Sequence, residues 1–91
     1  MSTSDFEIVK DRFKKIYGSD DIYKSDKWPK KYYVIRPDGK RVYFGDIRYE
    51  DYTVHRDDAR RDRYLSRALN TRGAWKDNVY SPNYLAIVLL W

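Results

Sequence analysis

The chain has no cysteine, a single histidine and only four glycines in 91 residues. The missing thiols exclude a disulfide framework and a thiolate metal centre, and they fit a reducing intracellular compartment. Acid–base or nucleophilic catalysis needs a positioned base beside a nucleophile, and His55 is the one imidazole on offer. The expectation is therefore no enzyme, no metal and no cofactor, with His55 as a structural hydrogen-bonder in an aromatic segment. The glycines are scattered at turns, so no phosphate-cradling loop is present. His55-Arg56-Asp57 echoes the kinase catalytic-loop triplet, but the Gly-rich loop and the magnesium-binding partners are missing. Asp20-Asp21 and Asp57-Asp58 are adjacent acids, which do not converge on one ion as calcium-loop spacing arranges them. No long apolar run occurs: Tyr84 to Trp91 covers about a third to a half of a membrane crossing. The polar start, Met1 to Asp5, does not read as a secretory leader, and a soluble, non-secreted chain is expected.

What the chain has in abundance is aromatic residues and charge. Ten tyrosines, three tryptophans and three phenylalanines make a largely aromatic core, in a chain 42% hydrophobic and 36% charged. Buried hydroxyls need partners, so some tyrosines should place the ring inside and the oxygen at the rim. The length suits one domain, residues 1–91, with neither repeat nor linker. The net charge of +5 favours acidic partners, although fourteen acids are mixed with nineteen bases.

Ser4-Asp5-Phe6-Glu7 has the form of a capping box and predicts a helix over residues 5–17, with Phe6, Val9, Phe13 and Ile16 on its buried stripe and Gly18 as its stop. Residues 19–29 read as an ordered connecting loop anchored by Tyr23 and Trp28. Lys31 to Arg36 and Lys40 to Phe44 read as strands joined by the Pro37-Asp38-Gly39 turn, with Gly45 ending or bulging the second. Residues 46–55 fit either a loop packed across the sheet or a third, irregular strand. A second helix is expected over residues 57–69, with Tyr64, Leu65, Ala68 and Leu69 as its apolar side. After Ser81-Pro82, an N-cap followed by proline at the first helical position, a short C-terminal helix should run over residues 82–90. The fold class is α+β: a helix, an antiparallel hairpin and two covering helices.

Two surfaces stand out. Arg56, Arg60, Arg63 and Arg67 are spaced by four, three and four along the second helix, and Lys30, Lys31, Lys40 and Arg41 cluster at the hairpin. Guanidinium forks suit phosphates or carboxylates, and lysines add diffuse attraction. The competing reading is internal pairing with Glu50, Asp51, Asp58 and Asp62. Of Tyr32, Tyr33, Tyr43 and Phe44, some belong in the core and the rest are free to stack bases. The second surface is the apolar C-terminal end, where Leu85, Val88, Leu89 and Trp91 form a candidate protein interface or simply close the core.

Tyr32-Tyr33-Val34, Pro37-Asp38-Gly39-Lys40, Val42-Tyr43-Phe44-Gly45, Tyr49 to Asp57, Arg60-Arg61, Arg63 to Arg67, Trp75 and Leu89-Leu90-Trp91, taken in that order, resemble a family of small domains encoded by large nucleocytoplasmic DNA viruses of eukaryotes. The resemblance covers residues 30–91 and includes a basic helix and a tryptophan-bearing end. It departs from the family at Asn83-Tyr84, where a glycine and an aromatic residue are expected. It implies a viral protein in the virion or the infected cell, without catalytic residues to carry over. The expected role is a minor capsid-cementing protein that contacts other viral structural proteins. The alternative is a nucleic-acid binder using the arginine helix and the lysine-rich hairpin.

Overall fold

The structure is a computed structural model that describes residues 3–91, apart from the side chain of Ala74. It is the α+β domain that the patterning predicts, with a three-stranded sheet in place of a lone hairpin. Helix α1 spans Phe6–Tyr17, strands β1, β2 and β3 span Ile22–Lys24, Tyr32–Ile35 and Arg41–Phe44, and helices α2, α3 and α4 span Tyr52–His55, Asp58–Leu69 and Pro82–Leu90. A single 3-10 turn covers Ala74–Asp77 between α3 and α4. The sheet is antiparallel in the order β1-β2-β3. The third strand thus comes from the 19–29 segment, read above as a loop, and not from residues 46–54. Three residues flanked by Asp, Ser and Lys carry no alternation to detect; their pairing is supplied by β2.

Local chemistry explains where the elements start and stop. The N-cap of α1 is Asp5, whose carboxylate accepts from the amides of Glu7 and Ile8. Ser4 does not cap as the sequence pattern predicts, because it is drawn inward, with its hydroxyl 3.4 Å from the Thr53 hydroxyl. Met1 and Ser2 lie outside the described residues. Gly18 closes the helix in the left-handed conformation, with its N–H donating to the Lys14 carbonyl. The Gly39 N–H donates to Arg36 and the Arg36 N–H to Lys40, closing the predicted hairpin turn. At α4, the Ser81 hydroxyl accepts from the Tyr84 amide and Pro82 opens the first turn, as expected.

The sheet has two unlike faces. Ile22, Tyr32, Val34 and Phe44 point inward and meet Val9 and Phe13 of α1 and Leu85, Ala86, Leu89 and Leu90 of α4. On the outer face Tyr23, Tyr33 and Tyr43 stand in register across all three strands. Their rings pack at 5.3 and 5.1 Å between centroids. Of the four hairpin aromatics, Tyr32 and Phe44 are core while Tyr33 and Tyr43 form this ladder. Helix α4 lies at the centre, touching β3, α1, α3 and the 3-10 turn. That position suits a helix apolar nearly all round.

A buried ion pair joins the sheet to the second half of the chain. The Lys31 ammonium donates to Asp51 at 2.9 Å and to the Thr3 carbonyl at 3.2 Å, with the two side chains only 4% and 1% exposed. The other Asp51 oxygen caps α2 by accepting from the Thr53 amide at 3.0 Å and also accepts from the Thr53 hydroxyl. That hydroxyl in turn accepts from the Asp5 amide. Gly45 leaves room for Lys31: a Cβ there would stand 3.0 Å from Lys31 Cβ and 3.1 Å from Leu90 Cδ1, at a φ of +79°. Breaking a buried pair strands a charge without a partner, so Asp51→Ala is expected to cost about 3–5 kcal/mol in urea denaturation. Lys31→Met combined with Asp51→Leu should recover much of that loss.

Candidate functional site

Helix α3 begins at the N-cap Asp57, which accepts from the amides of Ala59 and Arg60. Just before it, Arg56 takes the left-handed φ of 52° as the C-cap of α2 and makes the elbow between the two helices. Arg56 is therefore on the turn and not in the helical stripe. Arg60, Arg63 and Arg67 do share one face, and they line a cleft of about 640 Å³. Tyr64, Ala86, Leu90 and Trp91 supply its apolar surface, and Gly45, Asp46, Tyr49 and Glu50 complete the lining.

The three arginines differ in what holds them. Arg60 lies 3.7 Å from Glu50, a partly exposed pair of modest value. Arg63 and Arg67 are exposed and have no ion-pair partner among the described residues. The internal-pairing reading thus holds for Arg60 with Glu50, while Asp51 goes to Lys31 and Asp58 accepts from the Tyr52 hydroxyl at 2.7 Å. Arg61, the neighbour outside the stripe, donates to the Trp91 backbone oxygen at 2.9 Å and ties α3 to the end of α4.

The hairpin bases do not gather into one surface. Lys31 is a corrected assignment: it is 7% exposed and belongs to the buried ion pair, so it faces no external phosphate. Arg41 is taken up by the outer face, with its guanidinium over Tyr33 at 4.6 Å and 3.8 Å from Asp26. The Tyr43 hydroxyl donates to the same Asp26 and holds its carboxyl below the usual range. Lys30 and Lys40 are exposed, and neither lines the α3 cleft.

The apolar end is also corrected. Leu85 and Leu89 are fully buried in the core and offer nothing to a partner. Val88 is partly buried against the same cluster. Trp91 packs against two rings, with Tyr64 parallel to it at 4.3 Å and His55 tilted against it at 5.1 Å. The indole is half-buried and works first as a clamp joining α2, α3 and the end of α4, with its remaining surface in the cleft lining. Burial raises the Tyr64 hydroxyl above its ordinary pKa. His55 uses Nδ1 to accept from the Asp57 amide at 2.9 Å, while its Nε2 is buried without a hydrogen-bond partner among the described residues. Among the described residues no group of three or more His, Asp or Glu side chains is placed to hold a metal.

Sequence reasoning passed over the turn that carries the cleft residues Asp46 and Tyr49. Asp46 grips Arg48 through a two-point fork at 2.9 and 2.6 Å, and the Arg48 guanidinium lies over Trp28 at 5.3 Å and Tyr49 at 5.9 Å. Trp28, expected to anchor a loop, is 71% exposed, and Tyr49 is 65% exposed. The signal in the sequence is the Asp46-Ile47-Arg48-Tyr49 run, where an aspartate can bond the backbone two residues on, as Asp46 does by accepting from the Arg48 amide at 2.9 Å. The bond to Arg48 lowers the Asp46 carboxyl from 3.8 to about 2. The fork therefore contributes to stability above the ordinary carboxylate range, and the contribution is lost as pH falls towards the lowered value. Arg48→Gln should return Asp46 towards 3.8 in an NMR titration. Separately, Trp91→Ala should destabilise the fold by about 3 kcal/mol in urea denaturation, as loss of a packed indole does.

A protein-family model described as a family of unknown function (DUF5754) matches residues 21–68. The span holds the three strands, the Lys31–Asp51 pair, the Asp46 to Glu50 turn and the cleft arginines, and leaves α1 and α4 outside. No curated protein and no solved structure matches the chain. No helix among the described residues is long and apolar enough to cross a membrane.

Proposed function

Since the chain belongs to the family of unknown function DUF5754, which carries no activity over to it, we propose that it is a non-enzymatic binding module that takes an acidic segment of another protein into the cleft beside α3. One observation carries this reading. Arg63 and Arg67 stand about one turn apart on a cleft with an apolar floor, and neither is in an ion pair among the described residues. Guanidinium groups held on a concave apolar surface are suited to carboxylates, because the low local dielectric strengthens a charge-assisted bond.

The lining favours protein over nucleic acid. Asp46 and Glu50 also line the cleft, and a phosphate backbone with its dense, regular charge would meet both carboxylates. A polypeptide can space its acidic residues to reach the free arginines and place apolar residues elsewhere. The hairpin bases of the nucleic-acid alternative are reduced to Lys30 and Lys40 once Lys31 and Arg41 are accounted for. In the viral setting that the sequence resemblance implies, the module serves as a minor virion protein cementing an acidic stretch of another shell protein.

Fluorescence-polarisation titration with labelled poly-L-glutamate, and with short single-stranded and duplex oligonucleotides, tests the reading. Poly-L-glutamate should bind, should weaken with added salt, and should bind Arg63→Ala/Arg67→Ala about 10–100-fold less tightly while the thermal melt is unchanged. Tight oligonucleotide binding without poly-L-glutamate binding would transfer the cleft to nucleic acid, and no binding of either would end the proposal. The viral setting is checked by mass spectrometry of purified particles, where the protein should appear at fixed stoichiometry; its absence would rule out the cementing role.

A further inference from the structure

The cleft continues into an exposed apolar patch that the fold leaves open. Trp28 and Tyr49 are 71% and 65% exposed, in a domain whose other tryptophans are partly buried. Their two segments are held together. The Ile47 amide donates to the Pro29 carbonyl at 2.8 Å, which fastens the turn to the Trp28 segment. Arg48, fixed by its fork to Asp46, lies over both the Trp28 and the Tyr49 rings. Tyr49 belongs to this patch and to the lining of the arginine cleft, so the two surfaces are continuous.

We infer that this patch is the apolar half of the docking surface, and that the partner segment is amphipathic: carboxylates for Arg63 and Arg67, and a bulky apolar side chain for Trp28 and Tyr49. The inference rests on the acidic-segment reading of the cleft and adds the chemistry of the rest of the partner. Tryptophan, tyrosine and arginine are the residue types that dominate binding energy at interfaces. A patch of exposed apolar residues rimmed by polar groups marks such a surface. The rings are also held in advance, because Arg48 spans them from a fixed position; little ordering remains to oppose binding. Charge selects the occupant. The adjoining free groups are cationic and the chain carries a net charge of +5. A second copy docked by two-fold symmetry on this face would bring like-charged arginines together, whereas an acidic segment neutralises them.

Two synthetic peptides of equal length separate the halves: one all glutamate, and one with its glutamates followed by two leucines. The leucine peptide should bind the full chain about 10–30-fold tighter than the glutamate peptide. Trp28→Ala should remove that gain and leave glutamate-peptide affinity unchanged; its side chain is 71% exposed and outside the cleft lining, and a thermal melt checks the fold of the variant. Arg63→Ala/Arg67→Ala should weaken both peptides. Equal affinity of the two peptides, or a gain that survives in Trp28→Ala, overturns the inference while the acidic reading of the cleft stands. Failure of both peptides to bind overturns the acidic reading with it. Sedimentation of the free protein supplies the remaining arm: it should stay monomeric, and a concentration-dependent dimer abolished by Trp28→Ala would assign the patch to a second copy and overturn the inference.

Discussion

Everything that positions the cleft depends on the ion pair between Lys31 and Asp51. Two charges removed from water are tolerated only where hydrogen bonds satisfy what the pair itself leaves over. Here Thr3, Thr53 and the α2 cap do so. Together the pair and its partners come from three separate stretches of chain: the segment before α1, the residue before β2, and the entry to α2. By satisfying one lysine and one aspartate the protein fixes all three relative to one another. It also sets the direction in which α2, and then α3, leaves the sheet. Gly45 is the steric condition for this arrangement, since any side chain there meets the Lys31 stem and Leu90.

A second constraint closes the far end of the same unit. The stack of His55, Trp91 and Tyr64 joins α2, the end of α4 and the middle of α3. Arg61 adds a bond from α3 to the Trp91 backbone oxygen. Helix α3 is therefore held by its inner side, through Tyr64 and Ala68, while Arg63 and Arg67 remain on the outside. The free arginines are consistent with this division of labour: the residues that anchor the helix are not the ones that line its outer rim.

Charge is where sequence and structure diverge most, and the reason is physical. A lysine counted among surface bases, Lys31, turned out to be the most buried charge of its cluster, because a carboxylate twenty residues away was folded against it. Arg41 was absorbed by tyrosines and Asp26 on the outer sheet face. The +5 balance therefore describes neither surface well, and the unpaired groups that matter are two arginines about a turn apart. Apolar residues moved in the opposite sense. Leu85 and Leu89 went to the core, and Trp28, read as an anchor, came to the surface beside Arg48.

The sequence alone determined whatever depends on near neighbours along the chain. The α+β class, the Pro37-Asp38-Gly39 turn, the Ser81-Pro82 start of α4 and the spacing that puts Arg60, Arg63 and Arg67 on one helical face all follow from local dihedral preferences, capping and periodicity. Tertiary structure decided what depends on partners distant in sequence. It made Ile22–Lys24 a strand by pairing it to β2, passed the cap of α1 from Ser4 to Asp5 by drawing Ser4 to Thr53, buried Lys31 against Asp51, and packed Trp91 against Tyr64 and His55. A side chain's type limits which bonds it can make; whether those bonds are left for a partner depends on which groups the fold brings within reach.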